Sequence, residues 1–200
     1  MDYLHYSLNQ NHGILEVYTG PMKSGKTREL INRVDKLNFI DDYKFLFFKP
    51  KVDIRDETVE SRFGSLKYDC KFIDEYNPSE IKSHIDEKTR LVIIDEVQFF
   101  DQSISKIVIE LLKNNINVIV SGLDLDFRGK PFGSMPEILS LADKVNKLTG
   151  VCEYPNCTRP ATRTQRLIDG KPAPFDSPTI LIDSKNEDYE CRCISHHFIE

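Results

Sequence analysis

The chain has 200 residues, with 27 Lys and Arg against 32 Asp and Glu and a formal net charge of -5. That length suits one generous domain, or one domain with a small appendage. Hydrophobic residues make up 40% and charged residues 30%, a globular composition that excludes a disordered chain. The acidic balance argues against bulk electrostatic attraction to nucleic acid or anionic lipid, while leaving room for a local basic pocket. No apolar run approaches the roughly 20 residues of a membrane span. The opening MDYLHYSLNQNHG has neither the basic cap nor the apolar stretch of a signal peptide. A cytoplasmic location is therefore expected, where thiols stay reduced.

Four short apolar runs predict buried strands: Ile14 to Thr19, Phe45 to Phe48, Leu91 to Ile94 and Val118 to Ser121. None alternates cleanly with polar residues, as expected of a sheet covered on both faces. Helical patterns fall over Lys26 to Leu37, Ile104 to Lys113 and about Pro136 to Lys147. Strands alternating with helices predict an α/β fold with a parallel sheet. The charged stretch KVDIRDETVESRFGSL, Lys51 to Leu66, lacks a periodic apolar face and is expected to be a mobile surface loop.

Residues 20–27 read GPMKSGKT, a full match to G-x4-G-K-[ST] placed after an apolar strand and before a helical pattern. In such a loop Gly20 and Gly25 permit the turns, and the backbone N–H groups of Pro21 to Thr27, Pro excepted, converge on phosphate oxygens at a helix N-terminus. Met22, Lys23 and Ser24 fill the loop, Lys26 reaches the β- and γ-phosphates, and Thr27 supplies a hydroxyl to Mg²⁺. This pattern predicts binding of a nucleoside triphosphate. The apolar strand LVIIDE, Leu91 to Glu96, ends in two acids. Asp95 fits a Walker B carboxylate near Mg²⁺. Glu96 reads either as a base receiving a hydroxyl proton or as a solvated residue after a strand. Phe99 and Phe100 read as core.

Four of the five cysteines, Cys152, Cys157, Cys191 and Cys193, lie in the last 49 residues beside His196 and His197. Cysteines in two pairs bracketing a loop are how tetrahedral Zn²⁺ staples a small domain. Cys193 with His196 makes a tight C-x2-H pair, and Cys152 with Cys157 a C-x4-C pair within the zinc-ribbon range. Cys70 and Cys191 read as small buried hydrophobes, and His197 as exposed or hydrogen-bonded. After Gly150 the texture shifts to Pro, Thr, Arg and Cys, which divides the chain into residues 1–150 and 151–200. The second part has too few large apolar groups to build a core alone, and a metal would supply what is missing.

These motifs in order resemble the thymidine kinase family of the zinc-containing, tetrameric, cytosolic type. The likeness is carried by GPMKSGKT, DEVQFF, GLDLDFRGKPFG (Gly122 to Gly133), PATRTQRLIDGKPA (Pro160 to Ala173) and YECRCISHH (Tyr189 to His197). It implies a P-loop NTPase-type parallel sheet with a small C-terminal zinc-binding lasso domain. It also implies ATP and thymidine as substrates and a homotetramer, with no stable nucleic-acid or membrane partner. On this resemblance Glu96 is the base, Asp95 the magnesium-side acid and Gln98 part of the nucleotide-binding DExQ element. Asp53 and Arg55 form a D-x-R element approaching the triphosphate. Phe127 and Phe132, core residues by composition alone, match aromatics lining the thymine pocket. Thr164 and Tyr189 match residues at the nucleoside, under a lid of about Gly170 to Tyr189 that includes Ile180, Leu181, Ile182 and Asp183. Counting from Tyr189, the family's third and fourth zinc ligands fall on Cys193 and His196. A two-residue insertion within EYPN accounts for the widened C-x4-C. Lys23 and Arg62 depart from the family pattern. A nucleic-acid-stimulated ATPase with a zinc ribbon is the rival reading from another class.

Overall fold

The computed structural model describes residues 12–40, 43–53, 58–60, 67–180 and 186–200. The first half runs β1 (Leu15–Thr19), α1 (Lys26–Asp35), β2 (Lys44–Pro50), β3 (Thr58–Glu60), β4 (Lys67–Ile73) and β5 (Thr89–Ile94). There follow α2 (Ser103–Lys113), β6 (Asn117–Gly122), α3 (Met135–Leu141) and β7 (Lys144–Lys147). These strands form one sheet in the order β3-β4-β2-β5-β6-β1-β7. Six run parallel, and only β3 is antiparallel to its neighbour β4.

The four predicted strands are β1, β2, β5 and β6, and the central ones are buried on both faces. Side chains alternate across a strand. Phe47, Leu91, Ile93 and Ile119 accordingly face α1 with Leu30, Ile31 and Val34. Phe48, Val92, Ile94, Val118 and Val120 face the other way, onto Ile104, Ile107, Val108 and Leu111 of α2. Each such side chain contributes roughly 1.5–3 kcal/mol by leaving water. Because both faces need apolar residues, no polar alternation survives in the sequence.

The expected helix from Pro136 to Lys147 is corrected. α3 ends at Leu141, and Lys144–Lys147 is instead an edge strand parallel to β1. Asp143 causes the switch: its carboxylate accepts the Leu15 N–H at 2.8 Å and its own N–H donates to Leu15 O at 3.0 Å. That pairing overrides local helical preference. The segment Lys51 to Leu66 is likewise not wholly irregular. It opens with a 3-10 turn, Lys51–Asp53, and contributes β3 to the sheet, while residues 54–57 and 61–66 lie outside the described set.

The C-terminal part forms two small antiparallel sheets. One pairs β8 (Gly150–Val151) with β9 (Pro160–Ala161). The other has the order β11-β10-β12, from β10 (Arg163–Ile168), β11 (Lys171–Pro172) and β12 (Glu187–Arg192). Its apolar cluster consists of Cys152, Ala161, Cys191 and Cys193 with Cys157 against them, which is a very small core for this segment.

Candidate functional site

The carboxyl ends of β1, β2, β5 and β6 meet at one edge, where open α/β sheets bind ligands. Residues 20–25 leave β1 as a tight loop and enter α1. Gly20 (φ 145) and Gly25 (φ 86) both take positive φ. A Cβ on Gly20 would lie 2.4 Å from Leu148 O, so that position requires glycine on steric grounds as well. Lys23, with φ 59, adopts the left-handed region without being glycine, a strain on the order of 1 kcal/mol. Its ammonium pairs with Glu153 at 3.0 Å, which settles where the charge of this departure from the family pattern goes.

Lys26 is buried, with its Nζ donating to Pro21 O at 2.8 Å. Burial pushes its pKa down, against the upward pull of Glu96 and Asp95. Thr27 Oγ1 donates to Asp95 Oδ2 at 3.4 Å. Asp95 is 1% exposed and fully engaged. Its Oδ1 accepts from the Ser121 hydroxyl and the Glu96 N–H, and Lys49 Nζ lies 3.8 Å from Oδ2. A hydroxyl and a carboxylate so juxtaposed are the oxygen donors that Mg²⁺ prefers.

Glu96 sits just past β5 with φ 53, a left-handed glutamate of the kind that clusters at functional sites. Gln98 Nε2 donates to Glu96 Oε2 at 2.6 Å, and Gln98 Oε1 accepts the Leu123 N–H at 3.0 Å. Two glycines make space around Gln98, Gly122 at its side-chain amide and Gly133 at its backbone carbonyl. A Cβ on Gly122 would lie 2.4 Å from Gln98 Oε1, and one on Gly133 1.9 Å from Gln98 O. The side chain of Gln98 therefore contacts both Glu96 and Leu123.

Phe127 and Phe132 are 5% and 9% exposed. They sit in the loop following β6, which is closed by a bridge between Leu125 and Pro131. The Phe127 ring has two guanidiniums over it, Arg128 at 5.4 Å and Arg166 at 5.0 Å, and the Phe127 carbonyl accepts from His197 Nε2 at 2.7 Å. Phe132 packs edge-on against Phe99. Arg166 escaped the sequence reading: it is fully buried, paired with Glu187, bonded to Pro178 O and 6.0 Å above the Tyr189 ring. Nothing in its local sequence distinguished it from the neighbouring exposed cations. Thr164 is buried, with its hydroxyl accepting the Met22 N–H at 3.0 Å. Ile180 is exposed. Arg55, Arg62, Leu181, Ile182 and Asp183 fall outside the described residues, as does the side chain of Asp53.

Cys152, Cys157, Cys193 and His196 bring their ligand atoms within 4.8 Å of one another. His196 Nδ1 lies 3.7 Å from Cys152 Sγ and 3.5 Å from Cys193 Sγ. Tetrahedral zinc with ordinary bond lengths separates its ligands by about 3.5–3.8 Å, so this group can hold the ion. Burial alone would push the Cys152 thiol up, but backbone N–H groups and His196 bring it down to about 6, favouring the thiolate that zinc needs. Tyr154, from the widened Cys152–Cys157 loop, stacks on His196 with ring centroids 4.1 Å apart. Cys191 is buried but stands outside the group, and Cys70 is half-buried.

Among the described residues no helix is long and apolar enough to cross a membrane. The thymidine kinase family model matches residues 13–197. That span takes in the phosphate loop, the paired acids and the whole cysteine and histidine group.

Proposed function

The chain belongs to the thymidine kinase family, a family of nucleoside kinases, and from that premise we propose that it transfers the γ-phosphoryl group of ATP to the 5′-hydroxyl of thymidine or deoxyuridine. The observation that carries this reading is the convergence, at one sheet edge, of the loop lysine Lys26, the pair Thr27 and Asp95, and Glu96.

In the proposed reaction Glu96 accepts the proton of the 5′-hydroxyl through the oxygen not engaged by Gln98. The hydroxyl oxygen attacks the γ-phosphorus, the bond to the bridging oxygen breaks, and ADP leaves with that electron pair. Lys26 and the loop amides offset the charge on the phosphate oxygens, and Arg55 would add to them from the D-x-R element. Thr27, and Asp95 through water, would hold Mg²⁺, which supplies further charge neutralisation when bound. Catalysis is then mostly positioning and electrostatics. Phe127, Phe132, Thr164 and Tyr189, with the lid residues from Ile180 to Asp183, would enclose the base. Zinc on Cys152, Cys157, Cys193 and His196 would staple the lid-bearing segment. A homotetramer in the cytoplasm accompanies this reading through the family likeness.

The rival is a polynucleotide-stimulated ATPase. Comparing ATP turnover with thymidine and with single-stranded DNA separates the two. Stimulation by thymidine with production of dTMP is expected, whereas stimulation by DNA alone would favour the rival.

A further inference from the structure

Met22, in the middle of the phosphate loop, is attached to the C-terminal sheet by both of its backbone polar groups. Met22 uses its N–H to donate to Thr164 Oγ1 at 3.0 Å, and its carbonyl accepts from Cys191 Sγ. Thr164 and Cys191 are directly opposed residues of the antiparallel pair β10 and β12. Directly opposed side chains project from the same face of a sheet, so one cross-strand pair grips both polar groups of one loop residue. Both are buried, at 3% and 1% exposure. A second strut runs beside the first: Lys23 pairs with Glu153, whose other oxygen accepts the Cys191 N–H.

The grip falls where the loop most needs support. Lys23 follows Met22 directly and occupies the left-handed region at φ 59, which a lysine does not favour. Space has also been cleared for the Cys191 thiol, since a Cβ on Gly150 would lie 2.5 Å from its sulfur. Strained conformations persist only where the surroundings over-determine them.

We propose that Thr164 and Cys191 are positioning residues for the phosphate loop, holding the Met22 peptide groups in the nucleotide-binding conformation before the triphosphate arrives. The inference rests on reading Gly20–Thr27 as the triphosphate loop. It makes the zinc-stapled segment part of the ATP site as well as of the nucleoside site. It also gives the two substrates a physical link, because Thr164 lies on a strand expected to flank the base.

The test is affinity for ATP, measured calorimetrically with Mg²⁺ and no nucleoside, so that contacts to the base cannot contribute. Thr164→Val keeps shape and removes the acceptor, and should weaken ATP about tenfold, the size expected for loss of one buried hydrogen bond. Cys191→Ala should weaken it similarly, while Cys191→Ser retains a donor and should bind nearly as the wild type does. Alanine and serine have similar volumes, so a purely structural role would not separate them. Zinc content and thermal midpoint, measured on each variant, identify any that fails to fold, and the alanine–serine contrast remains decisive if Thr164→Val is unstable. Wild-type ATP affinity in folded Thr164→Val and Cys191→Ala, or tighter binding through a freed Met22 N–H, overturns the proposal. Lys26→Ala distinguishes the two levels: if it too leaves ATP affinity unchanged, the reading of the loop fails, and with it the premise of this inference.

Discussion

Gln98 holds Glu96 from one side and is itself held by Leu123, through bonds of 2.6 Å and 3.0 Å. Because the Leu123 N–H occupies the amide oxygen, the amide nitrogen must point at the carboxylate. One Glu96 oxygen is thereby committed to Gln98. Gln98→Leu removes the donor without removing the Glu96 carboxylate, the proposed base. A hydrogen bond to a charged group contributes roughly 1.5–3 kcal/mol, so kcat should fall about 10- to 100-fold. ATP affinity should stay within about twofold. Steady-state kinetics beside calorimetric ATP binding check this, and an equal loss in both would assign Gln98 to the nucleotide instead.

Glu96→Gln keeps the side chain's shape but cannot take a proton. Turnover with thymidine should drop by roughly 10²–10⁴, with ATP binding little changed because the proposed reading assigns it to Lys26 and the loop amides. Single-turnover transfer measures this directly. A variant with near-wild-type transfer would remove Glu96 from the role of base.

Lys26 offers a contrast between function and stability. Its charge is buried, and burial disfavours it, pushing the pKa down. A group whose folded pKa lies below its unfolded value opposes folding while it is protonated. Lys26→Met should therefore leave the thermal midpoint unchanged or higher, while weakening ATP binding by at least about 100-fold, as expected for loss of a charge that contacts phosphate. Thermal melts and calorimetry on one preparation test both halves.

Much of the fold was legible because its signals are local. A sheet with two buried faces must be apolar at successive positions, as in Leu91 to Ile94, and GPMKSGKT must bend at its glycines. What escaped depends on partners distant in the chain. Lys144–Lys147 becomes a strand only because Asp143 finds Leu15 across the sheet. Arg166 is buried only because Glu187 and Pro178 O lie beside it. The orientation of the Gln98 amide depends on Leu123 and on the space left at Gly122. The register of the zinc ligands was readable by counting from Tyr189, and the structure gathers those same four residues.

That register has its own test. Cys193→Ser should lose zinc, whereas Cys191→Ser should retain about one ion per chain. Metal analysis of the two purified variants checks it. Without the ion, the small cluster around Cys152 and Ala161 cannot hold the segment, so the thermal midpoint of Cys193→Ser should also fall. Retention of zinc in Cys193→Ser with its loss in Cys191→Ser would reverse the assignment.

Glu16 predicts a pH dependence remote from the site. It is 4% exposed within β1, and its carboxylate meets Arg33 at 3.0 Å, Lys144 at 2.9 Å and Asn146 at 3.0 Å. Burial raises its pKa, but the bonds from Lys144 and Arg33 outweigh that and bring it below the ordinary 4.5. A depressed folded pKa gives stability that is present above the unfolded value and lost as pH falls through the folded one. Glu16→Gln should therefore cost about 1–3 kcal/mol at pH 7. The gap to wild type should begin closing near pH 4.5 and narrow further in more acid solution. Denaturant melts across pH 3–7, on the order of the carboxylate titration range, measure it.

The most direct test of the central claim is a screen of phosphoryl acceptors with γ-labelled ATP and Mg²⁺, separating labelled monophosphates from labelled phosphate. Label should appear in the 5′-monophosphates of thymidine and deoxyuridine and not in those of purine nucleosides, because on the proposed reading Phe127 and Phe132 would enclose a pyrimidine and exclude a second ring. Efficient labelling of deoxyguanosine, or release of labelled phosphate that no nucleoside alters, would contradict it.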